Sequence, residues 1–135
     1  MNTTTIDLNK ISFFKPVEGK TLREQLQGKK LAGAEVVEYL RSLNEAKDFV
    51  PPVHWEKQFG FANNSGCRVY GFSLTFLRPR YWDRPEYKQV PTVNGFVWSK
   101  EYGFGEHFRD FNGDPLDMMV GTDWCGSDWI LIESE

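Results

Sequence analysis

The sequence predicts an α+β domain: a twisted antiparallel sheet of hairpins with one main helix packed on one face and a short helix near the amino terminus. Three observations lead there. The 135 residues include eleven Phe, five Trp and five Tyr, enough apolar bulk for one core in a chain too short for two comfortable ones. Apolar residues between Gly33 and Lys47 recur with helical spacing, whereas after Trp55 they alternate as strands do. No internal repeat or low-complexity linker divides the chain, so a single domain over 1–135 is expected, with 1–33 as an N-terminal extension and 34–135 as the α+β core.

The first helix signal is "TLREQLQG", where Thr21 and Glu24 have capping-box spacing and Gly28 is placed to end the turn. In "GAEVVEYLRSLNEAK", Val36, Leu40 and Leu43 share a face with Val37 beside them, and the charged residues lie mostly elsewhere, so this helix should dock on the sheet. Pro51 and Pro52 then stop it. "HWEKQFGF" puts Trp55, Phe59 and Phe61 at odd positions, and "NNSG" supplies turn chemistry, which together predict a hairpin. The return strand "CRVYGFSLTFLR" places Tyr70, Phe72, Leu74 and Phe76 on one face and reads as central. Asn94-Gly95 and Asn112-Gly113 have the composition of tight hairpin turns, and "SDWILIE" reads as a last strand.

The net charge of -3 conceals a gradient. From Glu101 onward nine acids face Arg109 alone, giving -8, so the first hundred residues carry +5. Such polarity allows association between subunits, and the acidic final third argues against extended nucleic-acid binding. The amino terminus lacks a signal-peptide pattern and no apolar run reaches the ~20 residues that cross a bilayer, so a cytoplasmic protein with no membrane contact is expected. Cys67 and Cys125 have no CxxC partners and are expected to be buried thiols.

Familiar catalytic signatures are absent: the sequence holds no GxSxG elbow, Walker loop, GxGxxG or HExxH. "DFNGDPLD" lacks the ligand order of a calcium loop and is explained by its Asn-Gly turn. Glu106, His107 and Asp110 could assemble an acid/base group in space, as triplets in any acidic protein could. The expectation is a non-enzymatic protein with no cofactor and no metal.

The stretch "LRPRYWDRPEYKQVP" is the candidate working surface. Arg78, Arg80 and Arg84 can contact phosphate bidentately, Tyr81 and Trp82 can stack on a base, and Pro79, Pro85 and Pro91 lower the cost of ordering the loop. Asp110, Asn112 and Asp114 are candidate ribose partners. The same residue types dominate protein interfaces, so contact with a protein partner accounts for the stretch equally directly.

A helix "AEVVEYLRSLNEAK" running into "DFVPPVHW", with the chain closing on "GSDWILIE", resembles the phage-encoded Thoeris anti-defence proteins of the second type. The matching positions are Val50, Trp55, Asp128, Trp129 and Ile132. The resemblance implies a homo-oligomer that sequesters a cyclic ADP-ribose-type signalling nucleotide without turning it over. "VPPVHW" departs from the family in lacking basic residues before its tryptophan. Trp55 and Trp129, both in apparent strands, are expected in the core as structural residues together with Asp128. The alternative is an acidic inhibitor, an antagonist of a restriction or CRISPR system or a toxin immunity protein, whose tail from Glu101 binds a basic host protein.

Overall fold

The computed structural model describes residues 6–43, 52–55, 68–99, 103–124 and 128–133. The predicted α+β class is what the chain adopts. The strands are β1 (Ile11–Phe14), β2 (Arg68–Pro79), β3 (Pro91–Ser99), β4 (Gly103–Asp110) and β5 (Trp129–Glu133), and the helices are α1 (Leu22–Gln25) and α2 (Ala34–Ser42). Among the described residues no helix is long and apolar enough to cross a membrane.

The sheet runs β1-β5-β2-β3-β4, with β2 central. It is mixed, and this corrects the antiparallel expectation: β5 pairs antiparallel with β1 but parallel with β2, through Gly71↔Trp129 and Phe72↔Ile130. Both faces are covered, not one. On the first, Val36, Val37 and Leu40 of α2 pack with Val69, Phe96, Trp98, Phe104, Leu131 and Trp55. On the second, Leu22 and Leu26 join Phe72, Leu74, Val93, Met118, Val120, Trp124 and Ile130.

The segment read as an extension is built into this core. Ile11 and Phe13 are buried on the α2 face, and residues 30–32 lie along β5, where the Ala32 amide donates to Leu131 O at 3.2 Å and the Glu133 amide to Lys30 O at 2.8 Å. The strand ISFF was missed because four residues carry too few repeats to show a period. At α1 the cap forms as spaced: Thr21 Oγ1 accepts from the Glu24 amide at 3.3 Å.

Asn94-Gly95 is no turn but lies inside β3. A Cβ on Gly95 would sit 1.9 Å from Gly71 O and 2.7 Å from Phe72 Cα, so glycine is demanded by close approach of β2 and β3. Asn112-Gly113 does form a bend, with Gly113 at φ +86, but it leads to a 3-10 turn at Pro115–Asp117 instead of a return strand. In β2 the pairing jumps from Ser73↔Asn94 to Leu77↔Val93, leaving Leu74, Thr75 and Phe76 as an irregularity. Three inserted residues reverse the alternation, so Phe76 packs on the α2 face while Tyr70, Phe72 and Leu74 remain on the other.

Trp55 is fully buried, but in a helical turn at 53–55, not a strand. Its indole donates to Ile11 O at 2.7 Å, and its ring meets Phe13 edge-on at 4.8 Å. The rest of the hairpin expected after it, with Phe59, Phe61 and "NNSG", and also Val50, Cys67 and Cys125, lie outside the described residues.

Candidate functional site

Residues 80–90 connect β2 to β3 and form an ordered ridge. The Arg80 amide donates to Val90 O at 2.7 Å, the Arg84 amide to Tyr81 O at 2.8 Å and the Tyr87 amide to Arg84 O at 3.1 Å. Gln89 Nε2 ties the turn from inside, lying 2.8, 3.1 and 3.2 Å from the carbonyls of Tyr81, Arg84 and Tyr87. Tyr81 and Tyr87 pack edge to face at 5.1 Å. Trp82 is 57% exposed and Tyr87 48% exposed.

Beneath the ridge a guanidinium ladder crosses the α2 face. Arg78 lies over Trp82 at 4.8 Å and over Phe76 at 5.7 Å, and Arg41 reaches the other side of the cluster, 5.3 Å from the Phe76 ring. Glu106 joins the two: its Oε1 accepts from Arg78 at 3.1 Å and its Oε2 is 3.6 Å from Arg41. Arg41 also donates twice to Gly95 O, at 3.2 and 2.8 Å. Burial pulls the Arg41 guanidinium below its ordinary value; Glu106 opposes that shift and Arg78 adds to it. Arg80 lies over Phe108 at 5.2 Å and bonds Asp110 at 2.5 Å. Arg84 stacks 5.9 Å from Tyr87 and makes no ion pair among the described residues.

The structure thus brings together Arg78, Arg80, Tyr81, Trp82 and Arg84, and adds Asp110 through Arg80. Of the other two expected ribose partners, Asp114 is engaged elsewhere and Asn112 meets Asp110 only in an acidic cleft. Asp114 is held at 2.9 Å by Arg23 and caps the Leu116 amide, which hold its carboxyl below the usual carboxylate range, the backbone bond contributing most. Asn112 lines a cleft of about 530 Å³ with Asp110, Phe111, Asp117, Met118 and Asp123. Three carboxylates around that cleft oppose a phosphate there.

The acid/base triplet does not assemble. Adjacent strand residues point to opposite faces, so Glu106 and Asp110 meet the arginines while His107 turns to the other side, 4.7 Å from Tyr70 and 5.5 Å from Phe72. There Asp128, 6% exposed at its side chain, pairs with Arg109, whose guanidinium lies 5.2 Å from Trp124 and 5.8 Å from Phe72. Trp129 is half-buried against Phe13 at 6.3 Å, with Lys15 Nζ 5.7 Å over its ring. Among the described residues no three His, Cys, Asp or Glu side chains converge as a metal group.

Among the described residues, six carboxylates of the acidic final third form ion pairs within the chain. Glu106 pairs with Arg41 and Arg78, Asp110 with Arg80, Asp114 and Asp117 with Arg23, Asp128 with Arg109, and Glu133 with Lys30. Sequence reading missed Arg41, Phe76 and Phe108 as parts of the cluster. The alternating charges of "EHFRD" were the signal that one side of that strand would meet cations. Comparisons with family models, curated proteins and solved structures found no match, and the family resemblance stays an expectation drawn from its own residues.

Proposed function

We propose that this chain is a non-enzymatic binding protein that acts by protein-protein contact through the ridge at residues 80–90. One observation carries the reading: the ridge holds Trp82 and Tyr87 exposed on a backbone already fixed by Gln89. Exposed Trp, Tyr and Arg on a rigid loop are what interface hot spots are made of, and preorganisation removes the ordering cost of binding. The internal pairing of the acidic tail shifts the expected partner away from a strongly basic protein, because a carboxylate bonded to its own arginine projects little field.

A second reading, drawn from the family resemblance, is a cytoplasmic anti-defence role in which a homo-oligomer sequesters a cyclic ADP-ribose-type nucleotide. What favours it is Arg84, the ridge guanidinium left without a carboxylate among the described residues, beside the open rings of Trp82 and Tyr87. It is the weaker of the two because Arg78 and Arg80 would have to give up Glu106 and Asp110 to hold a phosphate.

Native mass spectrometry of freshly purified protein, with and without cyclic ADP-ribose isomers, separates them. A nucleotide-sized adduct lost in Trp82→Ala and Arg84→Ala would establish the second reading. No adduct, together with a host protein captured by the native chain and not by those two variants, would establish the first; capture that both variants retain would overturn it.

A further inference from the structure

The two edges of the sheet differ. At β1, the Trp55 indole and His54 Nε2 both lie on Ile11 O, at 2.7 and 2.6 Å, so that edge begins under a side-chain cover. At β4 the pairing with β3 runs without a shift from Thr92↔Asp110 to Ser99↔Gly103, and among the described residues no strand lies on its other side. It carries no proline, lysine or bulge to discourage a further strand.

The direction of its backbone follows from one bond. The Phe111 amide donates to Pro91 O at 3.2 Å, which makes 111 and 91 a hydrogen-bonded pair of the antiparallel ladder. Bonded pairs recur every second residue, so Gly105, His107 and Arg109 direct their amides and carbonyls at β3. Glu106, Phe108 and Asp110 therefore direct theirs outward, and all three residues are exposed.

The charge pattern selects a second copy of the same strand. An edge-to-edge pair with a two-fold axis normal to the sheet keeps directly opposed residues on the same face, so the axis must pass through a single residue position. An axis at Glu106 sets two like carboxylates against each other, and one at Phe108 sets Glu106 against Asp110 of the second copy. An axis at His107 avoids both. It places Glu106 opposite Phe108 of the second copy, and Phe108 carries the Arg80 guanidinium at 5.2 Å. Arg80 then stands between Asp110 of its own chain and Glu106 of the other, and Arg109 comes opposite Gly105, which leaves it room.

We propose that two copies of this chain pair antiparallel through β4, with the two-fold axis at His107, joining the two sheets into one. The proposal is independent of what the ridge binds. Because the axis preserves the faces, it sets both Trp82 ridges on the same side of the joined sheet, a bivalent arrangement that gains avidity for a repeated or symmetric target.

Sedimentation equilibrium of the purified chain over a wide concentration range, with amide exchange followed residue by residue, tests this. Expected is a mass of twice the chain, with the Glu106 and Phe108 amides exchanging as slowly as those of the β3–β4 ladder. Phe108→Pro removes an outward N–H and leaves the inward ladder whole, so the dimer dissociation constant should rise by more than about tenfold while the circular dichroism spectrum holds. Should that variant fail to fold, Glu106→Lys, which sets an ammonium beside Arg80 of the second copy, must weaken the dimer in the same direction. A monomer at every concentration overturns the proposal, as does a dimer in which the Glu106 and Phe108 amides exchange freely or in which neither substitution changes the association.

Discussion

Replacing Arg109 by leucine should cost the fold about 3 kcal/mol. Asp128 is 6% exposed at its side chain and Arg109, 28% exposed, is its ion-pair partner. Removing one member of a buried pair strands the other charge, at about 3 to 5 kcal/mol, and the partial exposure of Arg109 argues for the lower end. Leucine keeps apolar contact with Trp124 and Phe72, so little of the loss comes from packing. For 135 residues the unfolding entropy is about 0.28 kcal/mol per kelvin, so Tm should fall by about 10 °C. The urea midpoint should fall by about 1.5 to 2 M. Both are measurable by tryptophan fluorescence, since Trp124 sits on the deleted guanidinium. Asp128→Asn in the same chain should return about half of the loss, because a buried amide is far cheaper than a buried carboxylate. A cost below about 1 kcal/mol, or two substitutions that simply add, would refute the account of this pair as a buried charge clamp.

Three further outcomes follow from the same packing. Gly95→Ala should cost about 4 kcal/mol or more, read as loss of soluble protein or a collapsed melting transition, since its Cβ would lie 1.9 Å from the Gly71 carbonyl oxygen in the neighbouring strand. Trp55→Phe should cost about 2 kcal/mol in urea unfolding, combining the lost donor to Ile11 O with the space vacated in a fully buried site. Burial lowers the His107 pKa from 6.5; Asp128 opposes that and Arg109 reinforces it. The unfolded chain therefore binds this proton more readily, so the contribution of His107 to stability is fully present above pH 6.5 and is lost as pH falls through the folded value. Denaturation midpoints should decline with acid over that window and decline less in His107→Leu.

What the sequence revealed depended on how local the cause was. The face Val36, Val37 and Leu40 present to the sheet, the Thr21 cap and the strand at Trp129–Glu133 were legible because each is decided within a few residues. The two Asn-Gly pairs show the limit. Both carry identical turn chemistry, yet one bends at Gly113 with positive φ and the other lies flat in β3, because only tertiary contact reveals that Gly71 needs the space at Gly95. Phe76 went to the unexpected face for a similar reason: the irregularity after Ser73 is a property of the β2–β3 pair, not of β2 alone. At the site, the arginines and aromatics of residues 78–84 were visible as a cluster. Their neutralisation was not, since Arg78 and Glu106 are joined only by the fold.

The place of β5 sets a schedule for biosynthesis. Ile11 pairs with Glu133, so the amino-terminal strand waits for about 120 residues of translation, roughly 6 to 25 s at ribosomal rates, before its sheet neighbour exists. Until then Lys30 lacks Glu133, the carboxylate it will pair with, and Ile11 and Phe13 are kept from their final burial. A ribosome stalled before Trp129 would thus display an intermediate with its amino-terminal strand unpaired and Ile11 and Phe13 uncovered, the kind of species chaperones retain, and synthesis of β5 would let it close into the folded state.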